Sequence, residues 1–287
     1  MHFVKMEGCG NDYVYVDGAT EQIKDKAELA RRISDRHFGV GSDGLIFVNP
    51  GKQAEFEMEM YNSDGSRSEM CGNGIRCVAK FAYDRGLTKN TTLTIESFGS
   101  VKTLELHLGK DGKTESVTVD MGVPILEPEK VPVIPNDKNA KAVIDEEIEV
   151  LGKTWRMTCV SMGNPHAVFF VPDNDYDDFE KMGPAFEKHE RFPKHVNAEF
   201  VKVIDDSHID MRVWERGTGE TLACGTGTCA SVVACILNNK TGRKVNVKLR
   251  GGYIDIEWKE DGHVFMTGPA TTVFEGDIDV YGKWRLS

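Results

Sequence analysis

Residues 69–77 read EMCGNGIRC, and residues 222–230 read LACGTGTCA. In each stretch a cysteine stands before a Gly-x-Gly and a run of largely apolar residues. The two cysteines, Cys71 and Cys224, lie 153 residues apart. The same offset carries Gly10-Asn11 onto Gly163-Asn164 and FEMEMY (56–61) onto IDMRVW (209–214). It carries Gly72, Gly74 and Gly99 onto Gly225, Gly227 and Gly252. It also lays the helix-like DKAELARRISDRH (25–37) on DFEKMGPAFEKHE (178–190), where Pro184 is expected to interrupt the second copy. One offset shared by several motifs reads as an internal duplication.

The duplication sets the expected fold. FEMEMY and IDMRVW alternate like half-buried strands, and turn signals separate many such runs. GIRCVAKFAYDR (74–85) and GTCASVVACILN (227–238) are instead apolar on most faces, the mark of a buried helix. The expectation is an α+β protein of two pseudo-symmetric halves. Each half is a bent mixed, mostly antiparallel β-sheet, barrel-like, wrapped around one central buried helix. VDMGVP (119–124) and FMTGPA (265–270) each close a run of strands, so the halves are expected at 1–120 and 121–274. The Pro-, Lys- and Asn-rich segment 124–140 reads as the connection between them.

Composition narrows the function classes. The chain has 287 residues, a net charge of −11 and no apolar run long enough to span a membrane. No long basic run is present, so nucleic acid is not expected as a partner. The N-terminus lacks a basic-then-apolar signal pattern, and a cytoplasmic protein without a membrane partner is expected. The seven cysteines are an odd number and show no Cys-x-x-Cys. Reduced thiols and no metal are therefore expected.

The chemistry centres on Cys71 and Cys224. At a helix start the first N–H groups have no partner inside the helix and the dipole is positive. The thiol pKa is therefore expected to fall, and a carboxylate is expected to bind there. Glycines allow close approach of a ligand to the backbone. Two such thiols in two copies fit an acid–base pair inverting an α-amino acid: a thiolate removes the α-proton from one face and a thiol returns one to the other. Buried packing is the plainer reading for any one free cysteine. It is the preferred one for Cys77, Cys229 and Cys235, which lie inside the apolar helices, while Cys9 and Cys159 stay open with packing favoured.

MCGNGIRC and ERGTGETLACGTGTCA resemble the diaminopimelate epimerase family, and GCGNDYVYVD, YNSDGS, SMGNPHAVFFV and FPKHVNAEFV resemble its other blocks in order. The resemblance covers the whole chain. It implies interconversion of LL- and meso-2,6-diaminopimelate in lysine and peptidoglycan precursor biosynthesis, without pyridoxal phosphate or any other cofactor. It also implies a site in the cleft between the halves, a homodimer, and a C-terminal tail (275–287) packed back onto the first half. Residue by residue, it makes Cys71 and Cys224 base and acid. Backbone N–H groups of Gly72, Asn73, Gly225 and Thr226 are expected on the reacting carboxylate. Asn11, Asn62, Asn164, Asn197, Glu215 and Arg216 are expected to bind substrate, with His166 and Gly44 lining the site. Some members carry Gln at the position of Gly44, and many carry Leu at that of Cys9.

The offset gives this assignment physical content. Asn11 maps to Asn164, but Asn62 maps to Glu215, Ser63 to Arg216 and Gly44 to Asn197. The asymmetric pairs are expected to read the distal end of a diamino diacid. Arg216 would take the distal carboxylate through its planar fork, and Glu215 the distal ammonium. Three alternatives stay open: a proline racemase or hydroxyproline epimerase, a Cys–His hydrolase using Cys224 with His166, and a thiol redox-sensing or small-ligand-binding module. A first cysteine followed by Gly72-Asn73 rather than Gly-His, and the pair Glu215-Arg216, argue against the first. Cys71 would be unexplained in the second.

Overall fold

Strands with alternating burial dominate: Phe56–Asn62 turns Phe56, Met58 and Met60 inward and the residues between them outward. The computed structural model describes residues 1–68 and 70–280, so the last part of the expected tail, 281–287, lies outside the described residues. The chain divides into two units, Met1–Val119 with the chain from Gly268 onward, and Asp120–Thr267. The first contains β1 (His2–Gly8), β2 (Asn11–Asp17), α1 (Lys26–Ser34), β3 (Gly44–Pro50), β4 (Phe56–Asn62), α2 (Gly72–Asp84), β5 (Thr92–Ser97), β6 (Ser100–Leu108) and most of β7 (Thr114–Gly122). The second contains β8 (Glu146–Val150), β9 (Lys153–Ser161), β10 (Pro165–Phe170), α3 (Phe179–Glu187), β11 (Asn197–Val203), β12 (His208–Glu215), β13 (Gly219–Glu220), α4 (Gly225–Leu237), β14 (Lys244–Leu249), β15 (Gly252–Trp258) and most of β16 (Val264–Pro269). After it, β17 (Thr271–Asp277) pairs antiparallel with β1, and Ile278 N–H donates to the Met1 carbonyl.

Inside each unit the pairing pattern repeats. Antiparallel hairpins β1–β2, β3–β4 and β5–β6 are joined by parallel pairs β2–β3 and β4–β5. The second unit repeats this with hairpins β9–β10, β11–β12 and β14–β15, and parallel pairs β10–β11 and β12–β14. The register itself repeats: Tyr13 pairs with Gly44 as His166 pairs with Asn197, and Leu45 with Tyr61 as Ala198 with Trp214. Each partner is 153 residues on. Because a one-residue slip would send every side chain to the opposite face, this shared register is a strong mark of duplication. After the helices the offset becomes 152. Ser97 pairs with Ser100 and Leu249 with Gly252, so Gly99 corresponds to Gly251, not to Gly252 as the sequence pattern suggested.

Helix α2 packs on β1, β2, β3, β5 and β6, and α4 on β9, β10, β11, β12 and β15, so each sheet curves about its helix. Both helices are buried along most of their length, with Cys77, Cys229 and Cys235 fully enclosed. Helix α2 is not wholly apolar inside. Arg76 is fully buried, and its guanidinium donates to the Gly72 and Pro269 carbonyls and to Asn73 Oδ1, each at 3.1 Å. Buried Lys80 donates to Asp84 and to the Thr114 carbonyl.

One local expectation is corrected. Pro184 does not interrupt its helix, since α3 runs through it. The hydrogen bond it forfeits would have gone to the carbonyl of Glu180, an exposed residue that water can satisfy. The segment 124–140, expected to connect the halves, forms no helix or strand beyond the Ile125–Ser161 bridge. Val131 and Val133 are buried with Phe169, Phe186, Phe192 and Phe200 in the core of the second unit.

Candidate active site

Both cysteines are N-caps. Cys71 precedes α2 with φ −125° and ψ 114°, and Cys224 precedes α4 with φ −122° and ψ 109°. The extended cap backbone followed by a helix beginning at Gly72 or Gly225 puts the first-turn N–H groups beside each sulfur, without acceptors inside the helix. Around these matching backbones the side chains differ.

In the first unit the Cys71 sulfur accepts from the Gly74 N–H at 3.2 Å and donates to Asn11 Oδ1 at 3.1 Å. The Asn11 amide is oriented in turn by Asp43, to which its Nδ2 donates at 2.8 Å. Tyr13 completes the group. Burial pushes its hydroxyl far above the ordinary tyrosine range, with the neighbouring Cys71 adding to the rise and Asn11 opposing it. Gly44 sits opposite both Tyr13 and Asn62 in the sheet. A Cβ there would stand 2.1 Å from the Tyr61 carbonyl and 2.9 Å from the Tyr13 ring, so the space beside residue 44 is already filled. Asn73 is buried, with its side-chain oxygen turned to Arg76. Asn62 stands apart from Cys71's hydrogen bonds: its amide donates to Ser66 Oγ at 3.0 Å, closing its own turn.

In the second unit His166 is fully buried between two partners, Nδ1 2.7 Å from Glu199 Oε1 and Nε2 2.9 Å from Asn164 Oδ1. Asn197 ties two loops together. It donates to the Pro165 carbonyl at 2.9 Å and accepts from the Arg216 N–H at 2.8 Å, which positions the β12–β13 turn carrying Glu215 and Arg216. The Thr221 hydroxyl donates to Glu215, while the Arg216 guanidinium is exposed and donates to the Lys194 carbonyl at 3.2 Å. Glu215 and Arg216 are therefore not a surface ion pair. The Thr226 hydroxyl lies 3.6 Å from the Cys224 sulfur.

The expected fall in thiol pKa is overturned at Cys224. Burial, followed by the carboxylates of Glu215 and Glu199, pushes this thiol well above the ordinary range. The Thr226 hydroxyl and the Gly227 N–H pull the other way and lose. A helix terminus acts on a thiol only as far as water and nearby anions leave it free to act.

Sequence reasoning missed Tyr13 and Glu199. The offset held a signal for both: Tyr13 maps to His166, and Glu199 maps to Ile46, so a carboxylate in one copy stands where the other has a core methyl.

The fold of this chain is shared by several solved structures. A PhzF-family phenazine biosynthesis protein from Bacillus anthracis superposes with a TM-score of 0.68 at 17% identity, over 98% of this chain and 99% of that one. A hydroxyproline epimerase from Agrobacterium vitis gives 0.67 at 14% identity, over 99% and 92%. At such identities the likeness is one of fold. The sequence is more particular: residues 3–127 and 158–273 match the diaminopimelate epimerase family model. The chain is 55% identical to a diaminopimelate epimerase of Leptospira biflexa, over 98% of this chain and 99% of that protein. It is 54% identical to one of Methanococcus maripaludis, over 98% and 100%. This chain belongs to the diaminopimelate epimerase family.

Proposed function

We propose that the chain interconverts LL- and meso-2,6-diaminopimelate, with Cys71 and Cys224 as the interchangeable base and acid. What carries this reading is the pair of N-cap thiols on two copies of one backbone, in a chain at least 50% identical over nearly its full length to diaminopimelate epimerases of several organisms. The thiolate of one cysteine takes the α-proton, and the thiol of the other delivers a proton to the opposite face of the same carbon. The α-carboxylate rests on the first-turn N–H groups at Gly72-Asn73 and Gly225-Thr226, where helix ends favour the growing negative charge. In this scheme Cys71 takes the proton from the LL substrate and the raised Cys224 thiol delivers one to the opposite face.

Asn11, Asn62, Asn164 and Asn197 contact or orient the substrate, and Glu215 and Arg216 hold its distal ammonium and carboxylate. His166 and Gly44 line the site. The scheme uses no cofactor and no metal. Among the described residues no helix is long and apolar enough to cross a membrane. A cytoplasmic homodimer serving lysine biosynthesis completes the proposal, its two halves divided near residue 120 and the chain returning to the first half from Gly268 rather than after 274.

The test is to incubate reduced protein with LL-2,6-diaminopimelate in D2O and follow the α-protons by NMR. Deuterium entering one α-position as meso product forms is the expected result. Exchange with proline or hydroxyproline instead would keep two-thiol chemistry and overturn the roles of Glu215 and Arg216.

A further inference from the structure

Glu199 has no task in that scheme, yet its burial demands one. The residue lies in β11 with no exposed surface, and its Oε2 has no hydrogen-bond partner among the described residues. Taking a carboxylate out of water is costly, and an unpartnered oxygen adds to that cost. The first unit meets the same packing need with Ile46, whose Cδ1 would stand 3.0 Å from a Cβ on Gly74. A Cβ on Gly227 would meet Glu199 Oε1 at 2.7 Å and the Cys224 sulfur at 3.3 Å, which sets both atoms against one methyl-sized space. The other Glu199 oxygen contact is His166 Nδ1, through which the imidazole is held with Nε2 toward Asn164.

We propose that Glu199 is a positioning residue for Cys224: it locks the His166 ring through Nδ1 and sets a buried carboxylate against the sulfur, so that this cysteine rests as the thiol. The groups facing these atoms come from four elements. His166 lies on β10, Glu215 at the end of β12, Cys159 on β9, and Cys224 and Thr226 at the start of α4. Burial pushes Glu199 up to about 7 against the pull of His166, so the carboxylate is ionised over the alkaline range in which Cys224 titrates. An anion there opposes a second anion on sulfur. Burial and then Glu215 act on the sulfur in the same direction and more strongly, with Glu199 next. The consequence for catalysis rests on the reading of Cys224 as acid, but the effect on the thiol does not.

The experiment is a pH titration of the free protein carrying 13Cβ-labelled cysteine. The Cys224 signal is assigned by its loss in Cys224→Ser. Wild type is compared with Glu199→Gln, which keeps the shape and a hydrogen bond to His166, and with Glu199→Ile, which copies the first unit. Both substitutions should lower the Cys224 midpoint by about one pH unit or more, a roughly tenfold gain in thiolate at fixed pH. Glu199→Asp should restore part of the elevation, and Cys71 should move less than Cys224 in every variant. An unchanged Cys224 midpoint in folded Glu199→Gln overturns the proposal. No substrate is present, so failure here is distinct from failure of the epimerase reading, which the D2O exchange alone decides.

Discussion

The starts of α2 and α4 have nearly the same backbone and different chemistry. At α2 the sulfur is part-exposed, capped onto a glycine N–H and bonded to an asparagine amide, with Tyr13 and Ile46 close by. At α4 the sulfur is buried, makes no side-chain cap bond, and faces two carboxylates and a histidine-bearing strand. Duplication supplies two matching thiol positions, as an acid and a base require. Divergence of the side chains around them then gives the two sulfurs different surroundings and raises the Cys224 thiol. A perfectly symmetric pair would show no such difference.

The largest expected effect tests whether both positions are needed. Cys71→Ala and Cys224→Ala should each lower turnover by about 10³-fold or more in both directions, the scale of a lost general acid or base. Exchange of the α-proton followed by NMR measures it, and near-normal epimerisation by either variant would end the two-thiol scheme. Next comes the glycine two residues into each helix. Alanine at 74 presses closest on the flexible tip of Ile46, with Cys71 at ordinary contact distance, and the gain in helix propensity should keep the change within about 1 kcal/mol. Alanine at 227 presses on a buried carboxylate held by His166, and should cost about 1–3 kcal/mol. Urea unfolding of the two variants makes the comparison, and equal costs would show that Glu199 yields freely.

The third prediction concerns pH. Because Glu199 is raised in the folded state to about 7, the native protein holds that proton more tightly than the unfolded chain. Its stabilising effect is fully present below the unfolded value of about 4.5 and is lost as pH rises through about 7. Unfolding free energies measured between those limits should therefore fall with pH in wild type relative to Glu199→Gln. A constant difference would remove the linkage. The smallest effect contrasts the caps of α1 and α3. Asp25 accepts from the Glu28 N–H at 2.9 Å, whereas Asp178, at the same place in the second copy, makes no cap bond. Asp25→Ala should cost about 1 kcal/mol, while Asp178→Ala should cost a few tenths at most by the same measurement.

The sequence determined what depends on local pattern: the doubling, the strand alternation, the cysteines at two helix starts and the family to which the motifs belong. Each is a property of neighbouring residues or of one repeated spacing, so a single chain read in order displays it. The tertiary structure decided what depends on residues distant in the chain. The offset slips to 152 after the helices only when strand pairing is known, because an isolated Gly matches another Gly wherever it falls. The space beside Gly44 is filled by the Tyr61 carbonyl and the Tyr13 ring from the flanking strands, and the Cys224 thiol is raised where the helix start alone argued for lowering. That reversal has one physical cause. A helix end is written in adjacent residues, but desolvation and the field of Glu199 and Glu215 arise only when separate strands close around the sulfur.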